Sequence, residues 1–249
     1  MPSCDAGDYA AIRRARLNRF VGLASLSLVM TAFAAMAQDF DKGLAAYRAG
    51  NFTEALREWT PLAEQGNADA QFNLAFLYRN GQGVPRDNAE AGRWFRLAAE
   101  QGDADAQYNL AFIYDTGAGV AQDEAAAVRW YRLAAEQGHA AAQYNLGVKY
   151  QNGQGVLQND AEAVRWYRLA AEQGTAVAQF NLAVAYYNGE GVARDFVAAH
   201  MWFNIAAANG DDDAVSKRNF IAKSMAPPDF AEAQRRAEVC IASNYQNCD

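Results

Sequence analysis

The chain has 249 residues, about half of them apolar, which is material for one or two packed domains. Its formal net charge of −7 argues against nucleic acid or an anionic membrane as a partner, since both repel an acidic surface. Only two histidines and three cysteines are present, so metal and thiol chemistry have few possible donors.

At the N-terminus, Arg13, Arg14, Arg16 and Arg19 precede an uncharged run over 20–37 that ends in Ala35-Met36-Ala37, a small-x-small pattern. This order of basic region, apolar stretch and small-residue site reads as an export signal over residues 1–37, cleaved after Ala37. An uncleaved membrane anchor is the rival reading, because 18 uncharged residues are just enough to span a bilayer. Cleavage would remove four arginines and two aspartates, leaving 18 basic and 27 acidic residues, with a periplasmic or extracellular location and no membrane contact. It would also remove Cys4.

From Gly66 onward the sequence repeats every 36 residues without insertion or deletion. "RWYRLAAEQG" stands at 129–138 and again at 165–174, after a near-copy at 93–102. Leu74, Leu110, Leu146 and Leu182 keep the same step, as do Trp94, Trp130, Trp166 and Trp202. Four units follow, 66–101, 102–137, 138–173 and 174–209, behind a degenerate opening unit over 38–65.

Each unit predicts two helices. Helix A covers Ala68–Arg79 in the first unit, with Ala70, Leu74 and Tyr78 on one stripe. "NGQGV" breaks it, its glycines supplying angles that other residues resist. Asp87, Asp123, Asn159 and Asp195 are then placed to cap helix B, which carries Ala91, Trp94 and Ala98 on one face and stops before Gly102. The expected packing sets the bulky tryptophan against small residues on helix A, namely Ala75, Ala111, Gly147 and Ala183. One pair cannot bury both its apolar faces, but stacked pairs can.

The pattern A-x-x-x-L-[AG]-x-x-Y, G-x-G-V, A-x-x-W-[YF]-x-x-A-A-E-Q-G is seen at Ala106, Leu110, Ala111, Tyr114, Gly117, Gly119, Val120, Ala127, Trp130, Tyr131, Ala134, Ala135 and Gly138. It resembles the Sel1-like repeat, a relative of the tetratricopeptide repeat. The resemblance implies an all-α, right-handed solenoid of antiparallel helix pairs whose concave face holds other proteins. Trp59 falls in frame with Phe95, Tyr131 and Tyr167 and is expected to fill that aromatic slot. At the far end, over 210–249, the Leu74 and Ala75 positions become Arg218 and Asn219, which suits an exposed last helix. A closing helix follows Pro227-Pro228, and Cys240 with Cys248 reads as one disulfide, two free thiols being the alternative.

Signals for chemistry are sparse. His139 replaces Asn67 or Asp103 at a helix start, where a polar cap accounts for it, and His200 sits alone on a helix B. The sequence has no H-E-x-x-H, C-x-x-C or G-x-S-x-G, and the G-x-G-V loops lack the third glycine or the Gly-Lys-Ser/Thr of phosphate-binding loops. Glu100-Gln101 and its copies are expected to face solvent. No enzyme activity, cofactor or metal is expected. Some cysteine-rich relatives in the family are associated with penicillin binding or hydrolysis, so a cell-wall or β-lactam role is the alternative. Those relatives carry a cysteine pair in each repeat, and these repeats carry none.

Any binding surface should lie on helix A. At about 100° per residue from Ala70, Phe72 and Phe76 fall away from the core stripe, with Asn73 beside them. Tyr108, Asn109 and Phe112, then Tyr144, Asn145 and Val148, then Phe180, Asn181 and Val184 repeat the arrangement. Rings and amides in a row suit an extended protein or peptide segment bound by a monomer. The same rings could instead pack helix on helix. Positions that vary between repeats, Lys149 and Arg79 among them, are the candidates for specificity.

Overall fold

A computed structural model describes residues 40–245 and 248. The expected export signal over 1–37 lies outside the described residues. Twelve helices make up the described part: α1 at 40–48, α2 Phe52–Glu64, α3 Ala68–Asn80, α4 Asn88–Glu100, α5 Ala104–Thr116, α6 Glu124–Glu136, α7 Ala140–Asn152, α8 Asp160–Ala171, α9 Ala176–Asn188, α10 Phe196–Ala208, α11 Asp212–Ala222 and α12 Pro227–Ala242. No strand occurs among the described residues, and none of their helices is long and apolar enough to cross a membrane.

The chain divides into two compact units, residues 1–123 and 124–249. In the first, α3 packs on both α2 and α4, and α5 packs on α4. In the second, α7 packs on α6 and α8, and α9 on α8 and α10; α10 also meets α11 and α12. Within each unit, α2 to α5 and α6 to α11 therefore lean on their neighbours in chain order, the stacking of an all-α solenoid.

Local chemistry sets the helix ends. Asn67, Asp103, His139 and Asp211 each accept a hydrogen bond from a backbone N–H in the first turn of an A helix, at 2.8, 2.7, 3.2 and 2.9 Å. Asp87, Asn159 and Asp195 cap α4, α8 and α10 in the same way. Such caps contribute about 1 kcal/mol each. His139 acts here through Nδ1, a cap and not a ligand. Gly81, Gly117, Gly153 and Gly189 end the A helices in the left-handed conformation.

The second glycine of each loop has a separate cause. A Cβ on Gly83 would come within 2.6 Å of the Phe52–Thr53 backbone, and one on Gly119 within 2.6 Å of the Asn88–Ala89 backbone. In the second unit, a Cβ on Gly155 would stand 2.3 Å from the Glu124 carbonyl oxygen, and one on Gly191 2.2 Å from that of Asp160. Each loop is thus pressed against the first turn of the preceding repeat's B helix. Only a residue without a side chain permits that approach.

The core corrects the expected pairing of large with small. One aromatic position is deeply buried in every repeat, at Trp59, Phe95, Tyr131, Tyr167 and Phe203, all at most 1 % exposed. They occupy the position after the repeated tryptophan. A Cβ on Gly147 would lie 2.6 Å from the Tyr167 ring, so the small residue on helix A makes room for that second aromatic and not for Trp166. Gly43 clears space for Trp59 in the same manner, and the Trp59 indole donates to the Phe40 carbonyl at 3.2 Å. Trp94 and Trp166 lie nearer the surface, each under an arginine, Arg93 at 4.0 Å and Arg165 at 4.1 Å from the ring centre. Burying each deep ring contributes on the order of 2–3 kcal/mol.

At the C-terminus, α11 is largely exposed, which accommodates Arg218 and Asn219 where earlier repeats carry leucine and alanine. The closing helix α12 is present, and Cys240 is bonded to Cys248.

Candidate functional site

The A helices carry the predicted surface, and its state differs from helix to helix. In α3 the surface is closed. Phe72 and Asn73 are fully buried and Phe76 is 2 % exposed. The Phe72 ring meets Phe95 edge-on at 5.6 Å and lies 6.0 Å from Phe76. Arg79 places its guanidinium 4.3 Å over Phe76 and donates to the Asn109 side chain. The expectation that Phe72, Asn73 and Phe76 line an open groove is therefore corrected: these residues are core. A helical wheel sets them opposite Ala70, but eight consecutive residues of α3, Ala70–Leu77, are buried. A helix buried on every side has no outward face.

α5 is more open. Tyr108 and Asn109 are half-buried, and Phe112 is 46 % exposed. Asn109 donates to the Asp105 carbonyl at 2.7 Å, so its amide is oriented from both sides, by its own helix and by Arg79.

In the second unit, Tyr144, Asn145, Val148, Phe180, Asn181 and Val184 are all half-buried. Tyr144 lies 6.0 Å from Tyr167, and Phe180 meets Phe203 edge-on at 5.3 Å. Each ring thus leans back onto the deep aromatic of its own helix pair, while its outer edge stays accessible. Tyr167 ties α7 to α9: its hydroxyl donates to Gln151 at 2.7 Å and is hydrogen-bonded to Asn181. Burial, then the neighbouring Tyr144, pushes the Tyr167 phenol well above its ordinary range, against the hydrogen bond from Asn181. It stays a neutral donor. Lys149 is only 5 % exposed, which corrects its placement as an accessible specificity residue.

This face extends one repeat beyond the residues predicted for it. Phe220 of α11 lies 36 residues past Val184, and it is 63 % exposed. The repeat step itself would have located it. A second omission is a set of buried glutamines. Gln71, Gln107, Gln143 and Gln179 each donate to a carbonyl at the end of the preceding B helix, Ala63, Ala99, Ala135 and Ala171, at 3.0–3.2 Å. Each of those carbonyls also accepts the N–H of the glycine just past its helix, at 2.9–3.0 Å, so the glutamine fills its second lone pair. Gln101, Gln173 and Asn209 in turn donate to Gln71, Gln143 and Gln179 at 2.7, 2.7 and 2.9 Å. Gln101 and Gln173 are therefore not merely solvated surface; they fasten one repeat to the next.

Arginines of the B helices make a further repeated contact. Arg96 donates to the Tyr114 hydroxyl, Arg132 to that of Tyr150 at 2.6 Å, and Arg168 to that of Tyr186. In the first unit an open cavity of about 580 Å³ is bordered by Glu64, Gln71, Arg93, Trp94, Leu97 and Gln101. No group of three or more His, Cys, Asp or Glu side chains suited to a metal occurs among the described residues. His200 is buried against Phe230, at 5.1 Å between ring centres, a core position.

Stacked helix pairs with a partly open face of rings and amides define an all-α solenoid of the scaffold class, suited to protein–protein interaction. The chain belongs to the Sel1 repeat family: the Sel1 repeat model matches residues 68–103, 104–139, 140–175 and 176–211, more than half of the sequence. It is similar to a Sel1 repeat protein from Oxalobacter formigenes, at 34 % identity over 74 % of each chain with a TM-score of 0.66. It is also similar to a protective antigen of uropathogenic Escherichia coli strains with an SLR fold, at 30 % identity and a TM-score of 0.56. That match covers 87 % of this chain and 56 % of the other, so this chain spans little more than half the antigen's length. A comparison with curated proteins returned no match.

Proposed function

We propose that this protein is an exported, monomeric, non-enzymatic adaptor that holds an extended segment of a protein partner on the A-helix face of its second unit. It would serve an envelope signalling or assembly complex. One observation carries the reading: Tyr144, Val148, Phe180 and Val184 keep an accessible edge at a regular step, beside the amides of Asn145 and Asn181. Rings and aliphatic groups supply contact area, and amides can pair with an extended main chain. The basic and uncharged N-terminal stretches support export.

The test is photo-crosslinking in the native cell envelope from a reactive amino acid at 148 or 184, followed by mass spectrometry. A discrete protein adduct is expected from these sites and not from exposed Leu157 on a loop, which is 88 % accessible. Absence of an adduct from 148 and 184, or the same adducts from 157, would overturn the reading.

A further inference from the structure

Positions 76, 112, 148, 184 and 220, one repeat step apart in the sequence, hold Phe, Phe, Val, Val and Phe. Only Phe76 is sealed, and Phe220 is the most open, with its ring mainly in water. A lone exposed phenylalanine is ordinary, but Phe220 continues the partly exposed apolar positions 148 and 184 at the repeat step, and apolar positions in a row mark an interaction surface.

Charge singles out the same place. The chain has only four lysines, Lys42, Lys149, Lys217 and Lys223, against 18 arginines. Lys217 and Lys223 lie about one turn before and one turn after Phe220, on the same side of α11, and both are exposed. Lys217 holds the position that Asn73, Asn109, Asn145 and Asn181 hold in the repeats. Among the described residues neither lysine has a hydrogen bond or ion pair. The arginine on the same helix, Arg218, is by contrast occupied with Asn204 and Asn219. The acids of α11, Asp212 and Asp213, stand in its first turn, leaving the later part of the helix basic.

We infer that α11 selects the partner by charge: the bound segment is an acidic, apolar peptide whose hydrophobic side chain covers Phe220 and whose carboxylates meet Lys217 and Lys223. This rests on the adaptor reading above and deepens it. A lysine ammonium is a mobile point charge suited to carboxylates presented by a flexible segment. The acidic balance of the whole chain repels extended polyanions, which favours a short acidic peptide over a membrane or nucleic acid.

The test uses the full chain after export and fluorescence anisotropy with three labelled peptides of one apolar pattern, alternating leucine with aspartate, asparagine or lysine. Vesicles of phosphatidylglycerol and a single-stranded oligonucleotide serve as further probes. The aspartate peptide is expected to bind at least about tenfold more tightly than the other two, weakening as salt rises. Lys217→Glu with Lys223→Glu should abolish that preference, and Phe220→Ala should weaken the aspartate and asparagine peptides alike. Should the charge reversal disturb folding, Lys217→Gln with Lys223→Gln must still flatten the salt dependence. Equal binding of all three peptides would overturn the charge selection and leave the adaptor reading intact. Vesicle or oligonucleotide binding as tight as the aspartate peptide would overturn it as well. So would failure of every peptide while crosslinks from 148 and 184 persist; loss of those crosslinks is what removes the adaptor reading itself.

Discussion

Two glycines in one loop, Gly189 and Gly191, separate the conformational role of glycine from its steric role. Both have positive φ, +76° and +69°. Replacing either by alanine puts a side chain into left-handed backbone, at a cost of about 1 kcal/mol. The gain from a stiffer unfolded chain is the same for both and cancels in the comparison. Their surroundings differ. A Cβ at 189 would meet the Arg194 Cβ at 3.2 Å, a crowding that a shift of a few tenths of an ångström relieves, whereas one at 191 would stand 2.2 Å from the Asp160 carbonyl oxygen. Relief there requires the loop to withdraw from α8 by about 1 Å, an overpacking cost of roughly 1–3 kcal/mol more. Gly189→Ala should therefore lower the melting temperature by about 2–4 °C and Gly191→Ala by about 4–16 °C, two to four times as much. Thermal unfolding followed by far-ultraviolet circular dichroism measures both. Equal shifts would refute the argument that the loop is clamped to the preceding helix.

Three further outcomes are expected. Gln143→Ala removes two buried hydrogen bonds, its donation to the Ala135 carbonyl and its acceptance from Gln173, and leaves that carbonyl only the Gly138 N–H, so it should cost about 1–3 kcal/mol in urea unfolding, above Gln173→Ala. Burial, then Arg218, holds His200 below its ordinary pKa near 6.5, so the unfolded chain takes up the proton first. Stability should then be full above about pH 6.5 and decline as pH falls towards the lowered value; His200→Gln should remove that part of the slope in melting curves taken from pH 8 to pH 5. Reducing Cys240–Cys248 opens a short loop worth roughly 2.5 kcal/mol by chain entropy, and hydrogen exchange should quicken in α12 while α7–α9 stay protected.

The repeat step, the helix caps and the first glycine of each loop were legible because they depend on neighbours close in sequence. Asp87 and His139 do their work within three residues of themselves. What could not be read depends on the next repeat. The second glycine looked like more turn chemistry because its reason, the backbone of the previous B helix, lies about 30 residues away. Gln101 looked solvated for the same reason, its partner Gln71 being 30 residues back. The tryptophans drew attention by size, yet after Trp94 and Trp166 the next ring, Phe95 or Tyr167, goes deeper. On the candidate face, a helical wheel assumed one buried stripe. α3 is buried all round and α11 hardly at all, a contrast that the shared repeat pattern does not announce.

The glutamine links between 71 and 101, 143 and 173, and 179 and 209 reach only to an adjoining module. Length is consequently a free variable for such a chain. Duplicating or excising a whole block of 36 residues would preserve every fastening, adding or subtracting one rung of contact for whatever is held. Any other increment would put the glutamines and the loop glycines out of register with the neighbouring repeat, so the reach of this protein changes cleanly only in whole steps.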